Sequence, residues 1–297
     1  NMLVEDINFN FNAVKFVDKV FTAENSDMNF EEQSGFVCER LYANELELSS
    51  DHLNLFDMEL RTDKSVLGDS ISLNFKEYSA FSRFPFEVSL DVRLNEGMVA
   101  VEDVMKVAPS LRDNRFFTLN STELFMLSGQ VKGVVDDLRG RDIDIQLGRD
   151  FRLNGDFSFQ HLLDIENRFL SLNLDQCRTS VYAIKNLIPF VSLPDNFNKL
   201  GRLNFKGGFS GFFNNFNAYG ELETEIGVAN MDMNMDIKGG KELASYKGQL
   251  NLSDFDLAYW TGVEDLGKVY FSSTLEDGKG LTANTASAIL NASIDTL

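Results

Sequence analysis

The chain has 297 residues, of which 43% are hydrophobic and 25% are charged, and its formal net charge is −19. This hydrophobic content is enough for a sizeable core and excludes a disordered chain, whereas the negative charge opposes binding to nucleic acid. Phenylalanine occurs 27 times and proline only four times, which fits long strands because proline cannot donate a hydrogen bond to a sheet. No apolar run approaches the roughly 20 residues that a membrane-spanning helix needs.

Apolar and polar residues alternate along most of the chain, which predicts strands with one apolar and one polar face. In chain order the alternating runs are Ile7-Phe9-Phe11, Ile71-Leu73-Phe75, Phe84-Phe86-Val88-Leu90-Val92-Leu94, Ile143-Ile145-Leu147, Phe151-Leu153 leading to Phe157-Phe159, Met231-Met233-Met235-Ile237 and Leu250-Leu252. Clusters of Gly, Asn and Asp predict turns at 95–97, 153–155, 239–240 and 277–280.

Three segments depart from this alternation and predict short helices or turns, at 101–108, 181–188 and 257–265. Pro109 and Pro189 follow the first two segments, and proline ends a helix. These prolines are 80 residues apart, close to the period of an internal repeat in which 127–138 matches 205–216 at an offset of 78. Both copies read apolar-x-Gly-x-apolar-x-Gly, then two apolar residues, two Asp or Asn residues and another apolar residue.

The predicted fold is all-β, a long curled antiparallel sheet (a β-taco, solenoid-like) with an apolar interior groove and a few short helices. About 18 to 20 strands side by side would extend over roughly 90 Å. We expect a single elongated region over 1–297, built from approximate repeats at 84–160 and 165–256, as repeat arrays are. An Asn at position 1 and an alternating pattern that continues to the final residue predict a fragment of a longer protein.

Several short motifs resemble the TamB/AsmA-like translocation and assembly module family over roughly residues 40 to 285. The motifs, in order, are Ser192-Leu193-Pro194, Lys199-Leu200-Gly201-Arg202-Leu203, Phe205-Lys206-Gly207, Phe209-Ser210-Gly211, Ala218-Tyr219-Gly220, Tyr246-Lys247-Gly248-Gln249-Leu250, Asp254-Phe255-Asp256-Leu257 and Leu266-Gly267-Lys268. This resemblance implies a U-shaped β-sheet with an apolar interior in the periplasm of a double-membraned bacterium. It also implies an inner-membrane anchor, here outside the chain, and a role in outer-membrane protein assembly or phospholipid movement.

The expected function is an apolar groove for phospholipid transfer to the outer membrane, support of outer-membrane protein assembly, or both. The expected partners are phospholipid acyl chains and an outer-membrane barrel assembly protein, with no nucleic acid. Residues on the predicted dry face are the candidate groove lining: Phe84, Phe86, Val88, Leu90, Val92, Ile143, Ile145, Leu147, Phe157, Phe159, Leu203, Phe205, Phe209, Met231, Met233, Met235, Leu250 and Leu252. Packing in a closed core would produce the same alternation, so both interpretations stay open.

Residues that carry catalysis or bind metals are scarce in this sequence. His52 and His161 lie near no cysteine, and Cys38 and Cys177 have no metal-binding or redox spacing. No phosphate-binding loop or nucleophile-elbow motif occurs. We therefore predict a protein that is not an enzyme and that needs no cofactor or metal.

Three other functions fit the same alternation. An interaction scaffold would accept strands of client barrels at its sheet edges. An outer-membrane barrel also alternates, but the short helices, the 78-residue repeat and the single Trp of this chain argue against it. An adhesin or glycan-binding solenoid would use its polar face instead.

Overall fold

The computed structural model describes residues 4–107, 109–113, 115–164, 167–187, 195–282 and 284–296. The protein is all-β, as predicted, and its contacts divide it into unit 1, Asn1–Arg149, and unit 2, Asp150–Leu297. Within each unit, consecutive strands pair antiparallel. In the ranges given above, no helix has the length and apolarity to cross a membrane.

The described part of unit 1 contains eight strands and several short helical segments. The strands are β1 (Val4–Val17), β2 (Val20–Glu32), β3 (Phe36–Leu48), β4 (His52–Arg61), β5 (Val66–Asn74), β6 (Ser89–Ala100), β7 (Leu124–Val134) and β8 (Asp137–Leu147). The helices are α1 (Phe84–Glu87), α2 (Val101–Val107) and α3 (Arg115–Leu119), with 3-10 turns at Tyr78–Arg83 and Pro109–Asp113.

The described part of unit 2 also contains eight strands. They are β9 (Phe151–Gln160), β10 (Phe169–Ser180), β11 (Arg202–Phe212), β12 (Asn215–Thr224), β13 (Gly227–Asp236), β14 (Ser245–Asp256), β15 (Lys268–Lys279) and β16 (Ser287–Thr296). Helices α4 (Val181–Leu187) and α5 (Leu257–Thr261) and the 3-10 turns Asp195–Leu200 and Glu264–Leu266 connect strands at one end of the sheet.

The three predicted short helices are confirmed within the described residues. Helices α2, α4 and α5 begin where 101–108, 181–188 and 257–265 were predicted to begin. Residue 108, the segment 188–194 with Pro189, and the Ser192-Leu193-Pro194 motif lie outside the described residues. The predicted turn at 239–240 is also confirmed, since the N–H of Gly240 donates to the carbonyl oxygen of Ile237 and closes a turn over 237–240.

The prediction of a strand through Phe84 and Phe86 is wrong, because both residues belong to helix α1. Pro85 occupies the first turn of this helix, where its fixed φ favours helical geometry and its missing N–H costs nothing. Phe84 packs against a buried cluster of Phe75, Ala80 and Val88, whereas Phe86 is 56% exposed. The strand begins only at Ser89.

Two predicted turns, at 95–97 and 153–155, lie inside continuous strands, and the structure describes 16 strands where 18 to 20 were predicted. Residues 95–97 lie in β6, where Leu94 to Gly97 is opposite Gly129 to Leu127 and Glu96 has a φ of 57°. One extra residue on the bulged strand bends it without ending the pairing. Residues 153–155 likewise lie inside β9, next to a register shift in β10. At 277–280, strand β15 continues to Lys279.

The 78-residue repeat corresponds to two hairpins with the same turn. Val134 pairs with Asp137 in one hairpin and Phe212 with Asn215 in the other, so each turn has two residues. The second glycine of each copy approaches its partner strand closely. A Cβ at Gly133 would lie 2.2 Å from the carbonyl oxygen of Asp137, and one at Gly211 would lie 2.4 Å from that of Asn215. The repeated glycines therefore have a structural explanation.

Candidate functional site

The apolar side chains of unit 2 align in rows that cross all eight of its described strands. The register places eight residues in a central row: Phe157, Leu172, Phe209, Ala218, Met233, Gly248, Leu275 and Leu290. A second row, here the rim row, contains Leu153, Cys177, Phe205, Leu222, Ala229, Leu252, Phe271 and Ile294. Because side chains two residues apart share a face, both rows lie on one face.

Two further rows complete this surface, which we call the apolar face of unit 2. Between the central and rim rows lie Gly155, Leu174, Gly207, Gly220, Met231, Leu250, Ser273 and Ala292. Beyond the central row lie Phe159, Leu170, Gly211, Phe216, Met235, Tyr246 and Gly278. At about 4.8 Å per strand, eight strands extend the face over roughly 34 Å.

The opposite face of the same strands is polar. One of its rows contains Asp156, Asn173, Gly208, Tyr219, Asp232, Gln249, Thr274 and Asn291. This separation confirms that the alternation in the sequence divides unit 2 into one dry and one wet surface.

Helical segments cover the rim of the apolar face. Val181 of α4 and Leu200 are buried together with Leu203, Ile226 and Phe255. The ring of Trp260 lies 5.3 Å from that of Phe197 and 5.9 Å from that of Phe255, and all three rings belong to this cluster. Because the segments that connect β10 to β11 and β14 to β15 supply these side chains, the closed core of unit 2 lies at one end of its strands.

The residues of the central row are half-buried, apart from Leu290 of β16, which is 55% exposed. Its side chains contact neighbours within the sheet, as in the ring pair of Phe209 and Phe216, whose centroids are 5.0 Å apart. Phe157 stacks on Phe159 of the same strand at 4.5 Å. Leu250 is 38% exposed in the row beside it. A contiguous apolar surface that stays in contact with water is typical of a binding site.

The structure brings together half of the predicted groove-lining residues on this face. They are Phe157, Phe159, Phe205, Phe209, Met231, Met233, Met235, Leu250 and Leu252. Leu203 also lies on β11, two residues before Phe205 of the rim row, but it is buried in the rim cluster beneath the helical segments. The alternating residues Leu170, Leu172 and Leu174 of β10 belong to the face and were not singled out, although their spacing of two was visible in the sequence.

The predicted residues of unit 1 divide differently. Leu90 and Val92 of β6 pair with Leu73 and Ile71 of β5 and belong to that unit's apolar rows. Ile143 and Leu147 of β8 are buried, and Ile145, between them, pairs with Leu127. Val88 is completely buried in a closed cluster, while Phe84 and Phe86 lie in helix α1.

A Ser, Asp and His cluster at the turn between β3 and β4 does not have the geometry of a catalytic triad. Ser49 Oγ and Asp51 Oδ1 both lie 2.8 Å from Nδ1 of His52, so the imidazole cannot link them through its two nitrogens. Ser49 Oγ also accepts hydrogen bonds from the backbone N–H groups of Asp51 and His52. Hydrogen bonds with Ser49 and His52 lower the pKa of Asp51. The cluster is a hydrogen-bonded turn.

Both cysteines are free thiols in apolar surroundings. Burial raises the pKa of Cys38 to about 11, and burial also raises the pKa of Cys177 in the rim row. Because the thiolate is the nucleophilic form, neither thiol is activated at neutral pH.

Comparisons with protein-family models, curated proteins and solved structures returned no match to this chain.

Proposed function

We propose that this chain is a non-enzymatic part of a periplasmic envelope protein that binds the acyl chains of phospholipids on its apolar face and conveys them toward the outer membrane. The half-exposed central row of unit 2 is the observation that supports this proposal most strongly. An acyl chain would lie on Phe, Leu and Met side chains, and flexible Met thioethers adapt to ligands of irregular shape. The head group would stay in water and would need no polar pocket.

The energetics explain why such a surface would be useful. Each methylene exposed to water costs about 0.8 kcal/mol, so a chain of about 16 methylenes costs roughly 13 kcal/mol. An apolar face that replaces water along the path lowers this barrier. A face that binds lipid equally along its length sets no direction, so direction would have to come from another component.

The proposal includes a sheet that curls around the acyl chains as a groove. Strand twist and register shifts such as the one between Leu174 and Gln176 of β10 bend sheets and support this shape. The resemblance to the TamB/AsmA-like family supports three further proposals: an inner-membrane anchor outside the chain, a periplasmic location and a partner in outer-membrane barrel assembly.

Native mass spectrometry of the chain, purified from bacterial cells under mild conditions, tests lipid binding. Wild-type protein should carry phospholipid, and Met233→Asp should lose it, because a carboxylate in the central row would have to be desolvated next to the acyl chain. Asn234→Asp is the matched control, since it adds the same charge on the polar face and should leave lipid bound. Absence of lipid from the wild type, or equal retention by both variants, would reject the proposal.

A second candidate function is strand addition by client proteins. Strand β16 exposes Ile289, Leu290 and Ile294, and it pairs through Phe271 and neighbouring residues only with β15 among the described strands. Exposed apolar side chains on a strand favour pairing with a strand of another chain. A crosslink from Ser293 to a client strand that survives Met233→Asp would favour this function over lipid binding.

A further inference from the structure

The polar face of unit 2 contains two adjoining shallow depressions. One has a volume of about 520 Å³ and is lined by side chains that include Lys206, Tyr219, Glu221, Asn230, Asp232 and Gln249. The other, of about 470 Å³, shares Asp232 and Gln249 and continues to Thr274 and Glu276. Together they form an open polar groove across β11 to β15, roughly 19 Å wide at about 4.8 Å per strand.

The ring of Tyr219 forms the aromatic part of this groove. Gly208 faces it across the strands, and a Cβ at Gly208 would lie 2.7 Å from Cε1, Cζ and the hydroxyl oxygen of Tyr219, so the hydroxyl end of the ring lies across the glycine. Tyr219 is still 49% exposed. One side of the ring therefore packs on the sheet and the other is available to a ligand.

Polar side chains around Tyr219 have unused hydrogen-bonding capacity. At the margins of this face, cross-strand neighbours pair, as in Asn204 with Glu223 at 2.8 Å and Asn234 with Asn217 at 2.6 Å. Within the described residues, Lys206, Asn230 and Gln249 have no side-chain hydrogen bond or ion pair, although the register places each of them opposite polar residues. Amide side chains in this state offer both donors and acceptors.

We infer that this groove binds a neutral oligosaccharide of hexopyranose units. A pyranose ring has an apolar C–H face that packs against an aromatic ring, whose negative π-face attracts the C–H groups, while its hydroxyls need both donors and acceptors. Two lysines and four carboxylates line the two depressions, and with the net charge of −19 they disfavour anionic glycans. The site lies on the face opposite the proposed lipid surface.

An array of neutral, N-acetylated and anionic oligosaccharides, probed with the whole chain, tests this inference. Wild-type protein should bind neutral members, and titration calorimetry with the strongest of them should show at least about tenfold weaker binding for Tyr219→Ala and for Gln249→Ala. Tyr219→Phe keeps the ring over Gly208 and should bind within about threefold of the wild type. Tyr182→Ala removes an exposed tyrosine on α4 and should change nothing.

Circular dichroism of each variant distinguishes loss of the binding site from loss of the fold. Because the side chain of Gln249 is exposed, Gln249→Ala should leave the fold intact. Absence of binding to neutral members, binding confined to anionic members, or wild-type affinity in Tyr219→Ala and Gln249→Ala would each overturn the inference. The amount of bound phospholipid should be the same in Tyr219→Ala and in the wild type. Failure of oligosaccharide binding can therefore be distinguished from failure of lipid binding.

Discussion

The apolar faces of the two units are built from the same alternation but differ in how far they are closed. In unit 1 the face is closed over β3 and β4, where Leu46, Leu55 and Met58 pack against one another and against side chains of neighbouring strands, while the apolar rows of β5 to β7 are half-buried. In unit 2 the buried cluster lies at the rim beneath helical segments, while the central row stays half-exposed. Alternation in a sequence therefore predicts an apolar face but not whether that face is open.

Bulges occur in both units, but at different places relative to the middle of each face. In β4, Leu55 to Met58 is opposite Ile71 to Asp69, and Asp57, with a φ of 45°, is the extra residue. Asn25 in β2 has a similar φ of 48°. In contrast, the pairings from β11 to β14 contain no register shift. A bulge bends a strand and increases its local twist, and in unit 1 such a bulge, at Asp57, lies within the closed cluster of β3 and β4.

Truncation of a side chain in the closed face of unit 1 should give the largest loss of stability. Leu55→Ala should cost about 2 to 5 kcal/mol of stability, because it leaves a cavity among buried neighbours. Met233→Ala removes a half-exposed side chain and should cost about 1 kcal/mol. Denaturant unfolding, with hydrogen exchange on peptides from β4 and β13, measures both. Equal losses would mean that the two faces are equally closed.

The repeated hairpin glycines give the next largest effect. Gly133→Ala should cost about 3 kcal/mol, because its φ of 116° strains an alanine and the new Cβ would overlap the Asp137 carbonyl oxygen. Gly35→Ala, with a φ of 86° but no atom within 4 Å of the new Cβ, should cost about 1 kcal/mol. Thermal unfolding of the two variants compares the cost of a positive φ with a steric overlap at the new Cβ, in Gly133→Ala, and without one, in Gly35→Ala. Similar costs would remove the structural explanation of the repeat.

Acid should loosen helix α2 of unit 1 before helix α4 of unit 2. Asp103 in α2 is buried and accepts hydrogen bonds from Thr62 and Ser65, both 2.6 Å long. Burial raises the pKa of Asp103, but the hydrogen bonds from Ser65, Thr62 and Lys106 outweigh it, so its net pKa is lowered. In α4 the corresponding contact is neutral, from the Ala183 N–H to Ser180 Oγ.

Because the pKa of Asp103 is lower in the folded chain, its stabilisation is complete above the unfolded value of about 3.9 and is lost as the pH falls through the folded value. Asp103→Asn should cost about 1.5 to 3 kcal/mol at pH 7 and flatten the acid limb of the stability curve. Hydrogen exchange of α2 and α4 between pH 7 and pH 3 measures this. An unchanged acid limb in Asp103→Asn would contradict the assignment.

The smallest expected effect concerns a buried hydroxyl in the closed face of unit 1. Ser26 Oγ is buried and has no hydrogen-bond partner in the described part of the chain, so Ser26→Ala should be neutral or stabilise by up to about 1 kcal/mol. Ser65, equally buried, donates to Asp103 and accepts from the Ala100 N–H, so Ser65→Ala should destabilise by about 1 to 3 kcal/mol. Unfolding midpoints of both variants give the comparison, and a loss on Ser26→Ala would point to a partner for its hydroxyl.

Local patterns predicted most of the fold and part of the site. The all-β class, the helices α2, α4 and α5 and the common face of Phe209, Met233 and Leu250 follow from residue spacing. The bulge at Glu96 was not predicted, because Asn and Gly there suit a turn and a bulge equally well. The helix at Phe84 was not predicted, because the apolar alternation runs through Phe84, Phe86 and Val88 even though Pro85 favours the start of a helix. The openness of a face depends on contacts between distant residues, which spacing does not encode.

Site-specific photocrosslinking in cells tests the central claim most directly, with a photoreactive residue at Met233 on the open face, at Met58 in the closed face of unit 1 and at Asn234 on the polar face. An open lipid-binding face predicts phospholipid adducts at Met233 and none at the other two positions. Absence of adducts at Met233, or equal yields at Met233 and Asn234, would contradict it.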